Sequence, residues 1–101
     1  MKTTYHSLNK LIDMMDSPNR ESCHRIYQKN KQIFETAPGS SHNHQAWKGG
    51  YIDHITEVMN LAVVFYDSLS ALRELEFTLS DALLGCYLHD LEKPWRYLWE
   101  G

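Results

Sequence analysis

Little in this sequence supports a sheet, a membrane anchor or a polyanion-binding surface. The 101 residues include only two cysteines, five glycines and three prolines. Cys23 and Cys86 form no CxxC pair, and Cys86 stands beside Gly85 and Tyr87 in an apolar stretch. That usage favours two reduced thiols packed as small apolar groups over a disulfide framework. Strand-like alternation is nearly absent, and there is no internal repeat or low-complexity tract. The longest apolar run, Leu61 to Tyr66, is far shorter than the roughly 20 residues that span a bilayer, and no apolar signal region follows Met1-Lys2-Thr3-Thr4. The expectation is a cytoplasmic protein with no membrane contact. A formal charge of −3 excludes a general electrostatic hold on duplex nucleic acid, which needs clustered Lys and Arg. A small anionic substrate stays compatible with that charge, because a bound metal supplies positive charge locally.

What is present reads as helix. The hydrophobic content of 43% is ordinary for one small domain with a modest core. Leu8, Leu11, Ile12 and Met15 fall at helical spacing, and the segment ends near Ser17-Pro18-Asn19. A second helix is expected over Arg20 to Thr36, with Cys23, Ile26, Tyr27, Ile33 and Phe34 buried. Ala37 to Gly50 then collects Pro38, Gly39, Ser40, Ser41, Gly49 and Gly50 around His42, Asn43 and His44, which marks a polar, His-rich loop. From Tyr51 to Leu72 the apolar positions Ile55, Val58, Ala62, Phe65, Leu69 and Leu72 form one stripe, leaving Asp53, Thr56, Glu57, Asn60 and Asp67 as a polar strip. A helix so nearly apolar all round is expected at the centre of the fold.

Thr78-Leu79-Ser80-Asp81 has the pattern of a capping box that opens the next helix. That helix should stop by Lys93, before Pro94. Along it Leu79, Ala82, Cys86 and His89 share a stripe, and Gly85 is expected to let another helix approach closely. Pro94 then starts a short last helix through Trp95, Tyr97, Leu98 and Trp99. The predicted architecture is all-α, a single domain over residues 1–101 arranged as a bundle of about five helices. Residues 1–36 supply the N-terminal helices, 37–50 the loop, and 51–101 the helices that carry the chemistry.

That chemistry rests on histidines, of which there are six. His is the commonest metal ligand and titrates near neutrality. Helices joined by a short connection usually run antiparallel, which brings His54 at the start of one helix beside His89-Asp90 at the end of the next. His54 shares its side with Val58, Leu61 and Phe65, and His89 extends the Ala82 and Cys86 stripe, so both imidazoles are expected to face the helix interface. A lone His on an apolar face is more often a core residue with one backbone partner. Asp90, however, sits at the unfavourable, negative end of a helix, and that placement asks for a cation.

The stretch from His42 through Trp47-Lys48-Gly49-Gly50-Tyr51-Ile52-Asp53-His54, followed by Leu88-His89-Asp90-Leu91-Glu92-Lys93-Pro94, resembles the HD superfamily of metal-dependent phosphohydrolases. The Gly-Gly-hydrophobic-hydrophobic-acidic-His segment is similar to HD domains of bacterial 3′-to-5′ exoribonucleases and related phage or plasmid proteins. The resemblance covers roughly Ser41 to Tyr97. It implies an HD-like all-helical fold and hydrolysis of phosphate esters of nucleotides or nucleic acids. It implies His54, His89 and Asp90 as metal ligands, Asp90 as a group that orients water, and Lys93 as a contact to substrate phosphate. Two features depart from the family: Glu92 stands where a Gly usually precedes the Lys, and the last Asp ligand of the family lies well beyond the His-Asp pair, where this chain has no counterpart. Glu92, Glu100, Asp53, a His of the 42–44 loop, a second chain or a longer parent protein are the ways to complete the site.

Imidazole and carboxylate donors suit Mn, Fe, Ni, Co or Zn better than Mg, although Mg is compatible. His42 and His44 are candidates for a second metal or for a substrate contact, against a solvated-loop reading. Trp47 and Lys48 are candidates for stacking on a base and pairing with phosphate, against a packing Trp and a surface Lys. Three functions follow. The first is a phosphohydrolase acting on a nucleotide or a single-stranded nucleic-acid end. The second is a truncated or degenerate HD domain that binds metal or nucleotide without turnover, as a regulatory or interaction module. The third is a helical assembly domain in which Trp95, Tyr97 and Trp99 form a homodimer face.

Overall fold

The computed structural model describes residues 4–39 and 47–97. His42, His44, Leu98, Trp99 and Glu100 lie outside the described residues. The elements, in chain order, are α1 (Leu8–Asp13), α2 (Asn19–Lys29), α3 (Lys31–Thr36), α4 (Gly50–Leu72), α5 (Leu79–His89) and α6 (Lys93–Arg96). Among the described residues there is no strand, so the all-α expectation stands.

Leu8, Leu11, Ile12 and Met15 are all buried, as their spacing requires. The single helix expected over Arg20 to Thr36 is broken at Asn30, whose side-chain amide donates to the Ile26 carbonyl at 2.9 Å while its backbone leaves helical angles. An Asn side chain offers the backbone this alternative to a continuing helix. Cys23, Tyr27 and Phe34 nevertheless face the core, and Ile26 is packed against it. Cys23 and Cys86 are free thiols.

The start of α4 is tied to the end of α3. Gly49 adopts φ 81°, the left-handed region, and a side chain there would crowd the Glu35 carbonyl at 3.2 Å. Its N–H donates to Thr36 O, and Tyr51 N–H donates to Ala37 O at 3.0 Å. The turn needs Gly at that position.

α5 packs antiparallel along α4, opened by a complete capping box in which Thr78 Oγ1 accepts from Asp81 N–H and Asp81 Oδ2 accepts from Thr78 N–H. Two expectations about α4 fail here. The predicted core stripe holds at Ile55, but Phe65 is 61% exposed and Leu72 82%, because α5 has 11 residues against 23 in α4 and cannot cover the second half. By length and composition α4 is also the one helix among the described residues that is long and apolar enough to cross a membrane. The second failure is Asn60, which is buried rather than part of a solvated strip. Its Oδ1 accepts from His6 N–H at 2.8 Å, and its Nδ2 donates to His6 O at 2.9 Å and Thr56 O at 2.8 Å.

On α5 the buried residues are Ser80, Leu83 and Tyr87, while Leu79 and Cys86 are partly buried at the rim of the core. The inward face is therefore one residue removed from the predicted stripe. Ser80 looks polar in sequence yet accepts from Asp16 N–H at 2.8 Å, which pins the connection between α1 and α2 to α5. Gly85 is also corrected. A Cβ built on it meets no described atom within 4 Å, so no described helix approaches there.

Candidate functional site

Continuing the buried face of α5 by one helical turn reaches Asp90. Leu83, Tyr87 and Asp90 follow i, i+4, i+7 spacing, which keeps them on one side of a helix. Asp90 is the C-cap, and its side chain is 19% exposed. His89 is rotated about 100° away and its side chain is 81% exposed. The expectation that both imidazoles face the helix interface is thus correct for His54 and wrong for His89.

Asp90 collects the neighbouring positive and N–H groups. His54 Nε2 lies 3.2 Å from Oδ2, His89 Nδ1 lies 3.1 Å from Oδ1, and Lys93 Nζ lies 3.7 Å from Oδ2. The Lys93 ammonium arrives there because the chain turns after α5, with Lys93 N–H donating to the Asp90 carbonyl at 3.0 Å. The cation demanded by an aspartate at a helix C-terminus is therefore supplied in part by Lys93.

The His54–Asp90 separation is informative beside another His–carboxylate pair in the molecule. His24 Nε2 and Asp13 Oδ1 are 2.7 Å apart, a normal charge-assisted hydrogen bond. At 3.2 Å, His54 and Asp90 are looser than that. Two donors bound at roughly 2.1 Å to one ion lie roughly 3.0 Å apart in octahedral and 3.4 Å in tetrahedral arrangement. The spacing is compatible with two adjacent ligand positions and equally with the hydrogen bond that the pair makes. The third expected ligand does not join them in this structure, since His89 turns to the other oxygen of the same carboxylate. Among the described residues no group of three or more His, Cys, Asp or Glu side chains surrounds one point.

The other candidates fall in different places. Trp47 is exposed, and its indole Nε1 donates to Asp53 Oδ2 at 2.8 Å, so Asp53 is engaged at the entrance to α4. Lys48 and Glu92 are exposed. Trp95 is partly exposed and meets Phe34 edge to face with ring centroids 6.0 Å apart.

Tyr51 was not singled out in the sequence. It is completely buried, and its hydroxyl has no hydrogen-bond partner among the described residues. Burial first, and the nearby Asp90 carboxylate second, push its pKa far above the ordinary value. The site thus contains a phenol that remains a neutral O–H donor, held within electrostatic reach of Asp90. A buried donor without an acceptor is rare enough to need an explanation, such as a buried water. The signal available in the sequence is its position three residues before His54, on the same helical face.

Asp90 and His89 also form one end of a groove of about 350 Å³ between α4 and α5. Val58 lines it from α4, and Ala82, Gly85 and Cys86 line it from α5, with Asp81 at the other end.

Against known proteins, no family model matches the chain, and no solved structure matches it significantly. A curated enzyme, dihydroneopterin 2′,3′-cyclic phosphate phosphodiesterase of Methanocaldococcus jannaschii, is 33% identical over 64 residues. The match covers 63% of this chain but only 26% of that enzyme, so the chain spans about a quarter of its relative.

Proposed function

We propose that this chain carries a metal-dependent phosphohydrolase site of the HD type, acting on a phosphate ester of the nucleotide class. The observation that supports it best is the meeting of His54 and Asp90 at 3.2 Å with the Lys93 ammonium beside them. The similarity to a phosphodiesterase supports phosphate-ester hydrolysis more broadly.

His54 and Asp90 would hold the metal, with His89 joining after rotation of its exposed side chain away from Asp90 Oδ1. A divalent ion bound there supplies polarisation of a phosphoryl oxygen and a more acidic water. Lys93 would pair with a non-bridging phosphate oxygen and fix the ester beside the carboxylate. Asp90 orients the attacking water, whose oxygen forms the new bond to phosphorus as the ester P–O bond breaks and the leaving oxygen takes up a proton. His42, His44, Trp47 and Lys48 are proposed as secondary contacts to a second metal or to substrate. Of the native metal, the donor set favours Mn, Fe, Ni, Co or Zn over Mg.

A second reading, binding without turnover, is favoured by one specific observation. Lys93 already neutralises part of the Asp90 charge, and no third ligand closes on the pair among the described residues. The two readings separate in one experiment. Metal content is measured by elemental mass spectrometry on wild type and Asp90→Ala after reconstitution with Mn, Ni or Zn, followed by hydrolysis assays on 2′,3′-cyclic nucleotides and short oligonucleotides. About one ion per chain that disappears in a folded Asp90→Ala protein, together with product formation, is the expected result. Metal without product selects the binding module. No metal in either protein removes both.

A further inference from the structure

Gly85 lies inside α5, where glycine disfavours helix relative to alanine. The usual reasons for a helical glycine do not apply. Its backbone is ordinary helix, and a Cβ built there touches no described atom within 4 Å. What adjoins it instead is the groove that ends at His89 and Asp90.

We propose that this groove receives the planar ring of the substrate, an amino-substituted heterocycle linked to the phosphate that Lys93 and the His54–Asp90 pair hold, and that Gly85 keeps the slot open. The inference rests on the phosphohydrolase reading and adds to it the place where the substrate ring binds. Three observations carry it. The groove volume of about 350 Å³ suits one ring system with a short spacer, at the low end of small-molecule sites. Its walls are Val58 on one helix and Ala82 and Cys86 on the other, small or apolar groups that leave a ring face in contact, with a sulfur available to it. Its ends are chemically different: His89 and Asp90 line one end, with Lys93 Nζ behind them, 3.7 Å from Asp90 Oδ2, and the Asp81 carboxylate lines the other. The two aspartates are nine positions apart, roughly 13 Å along the helix axis. Asp81 uses Oδ2 to cap the helix, which leaves Oδ1 to accept from a ring amino group.

The test uses the full chain loaded with Mn and compares wild type, Gly85→Ala and Gly85→Leu. Melting temperature and metal content are read first, because an open position predicts both to be unchanged or, for the melting temperature, raised. Affinity is then measured for 2′,3′-cyclic GMP and for inorganic phosphate. Gly85→Leu is expected to weaken 2′,3′-cyclic GMP roughly tenfold or more while inorganic phosphate binding stays the same. Wild type is also expected to prefer 2′,3′-cyclic GMP over 2′,3′-cyclic UMP, a preference that Asp81→Asn reduces. A folded, metal-loaded Gly85→Leu protein that binds 2′,3′-cyclic GMP like wild type overturns the groove assignment alone. A loss of stability in Gly85→Ala overturns it too, by showing that the position is packed. Wild type that takes up metal but binds neither phosphate nor cyclic nucleotide overturns the phosphohydrolase reading, and this inference with it.

Discussion

Tyr51 and Tyr87 are both completely buried, yet among the described residues only Tyr87 has an acceptor for its hydroxyl, the Cys23 carbonyl at 3.0 Å. The two phenols therefore predict opposite responses to the same substitution. Tyr87→Phe deletes a buried hydrogen bond, leaving the Cys23 carbonyl with its partner inside α2 alone, and is expected to destabilise by about 1 kcal/mol. Tyr51→Phe removes an unsatisfied donor, and its stability is expected to match wild type or exceed it by up to about 1 kcal/mol. Urea unfolding of the pair decides this; an equal loss in both would mean that Tyr51 has a structural partner, most simply a buried water.

Asn60 provides the second prediction. Its amide satisfies both the N–H and the C=O of His6 and one carbonyl of its own helix. Asn60→Leu fills much of the same space but takes the side-chain partner from the His6 N–H and C=O, with an expected cost of about 2–3 kcal/mol. Proteolysis around His6 should accelerate in parallel, since this clamp attaches the segment before α1. A variant as stable as wild type in urea would show that the backbone of His6 finds solvent without penalty.

Asn60 also shows where the residue pattern stops being legible. The helix positions, the capping box at Thr78 and the meeting of His54 with Asp90 follow from spacing and from the antiparallel rule. Whether a polar residue on an apolar helix is solvated or clamps a distant backbone depends on residues far along the chain, as with His6 and Asn60. The direction of His89 was misread for a related reason. Leu79, Ala82 and Cys86 look more apolar than Ser80, Leu83 and Tyr87, and the long-range bonds from Asp16 to Ser80 and from Tyr87 to Cys23 reveal which stripe turns inward. Phe65 and Leu72 lie open because a short α5 meets a long α4, a mismatch that apolar periodicity does not register.

Alkaline pH should unfold this protein readily. Burial raises the Cys23 and Cys86 thiols above their ordinary value of 9.0, and the Tyr27, Tyr51 and Tyr87 phenols above 10.0. Because the folded pKa values are the higher ones, the unfolded chain loses these protons first. The stability they contribute is complete below the unfolded values and is lost as pH rises through the folded ones. Urea midpoints are expected to be flat with respect to these groups up to about pH 8.5 and to fall from about pH 9 upward. A midpoint unchanged at pH 10.5 would show that the thiols and phenols ionise without opening the core.

Thr78 offers a local test of the α5 start. The reciprocal bonds between Thr78 and Asp81 satisfy two backbone donors, one of them at the open end of the helix. Thr78→Ala is expected to cost about 1 kcal/mol, and Thr78→Ser much less, by urea unfolding. Equal losses for the two would assign the effect to the methyl group instead of the hydroxyl.

Lys93 gives the prediction that bears most directly on function, because metal and phosphate respond to it in opposite directions. Its ammonium lies 3.7 Å from Asp90 Oδ2 and is largely shielded from solvent. A positive charge so close competes with a divalent ion for the same carboxylate, an effect of about 1 kcal/mol even at high effective dielectric. Lys93→Gln is therefore expected to tighten Mn binding by roughly three- to tenfold, since each 1.4 kcal/mol is a factor of ten. The same change removes the proposed partner of the phosphate, so KM for a cyclic nucleotide should rise while metal occupancy does not fall. Calorimetric titration with Mn beside steady-state kinetics separates the two effects. A weakened metal affinity in Lys93→Gln would mean that Lys93 supports the arrangement of Asp90, and the phosphate would then need a different cation.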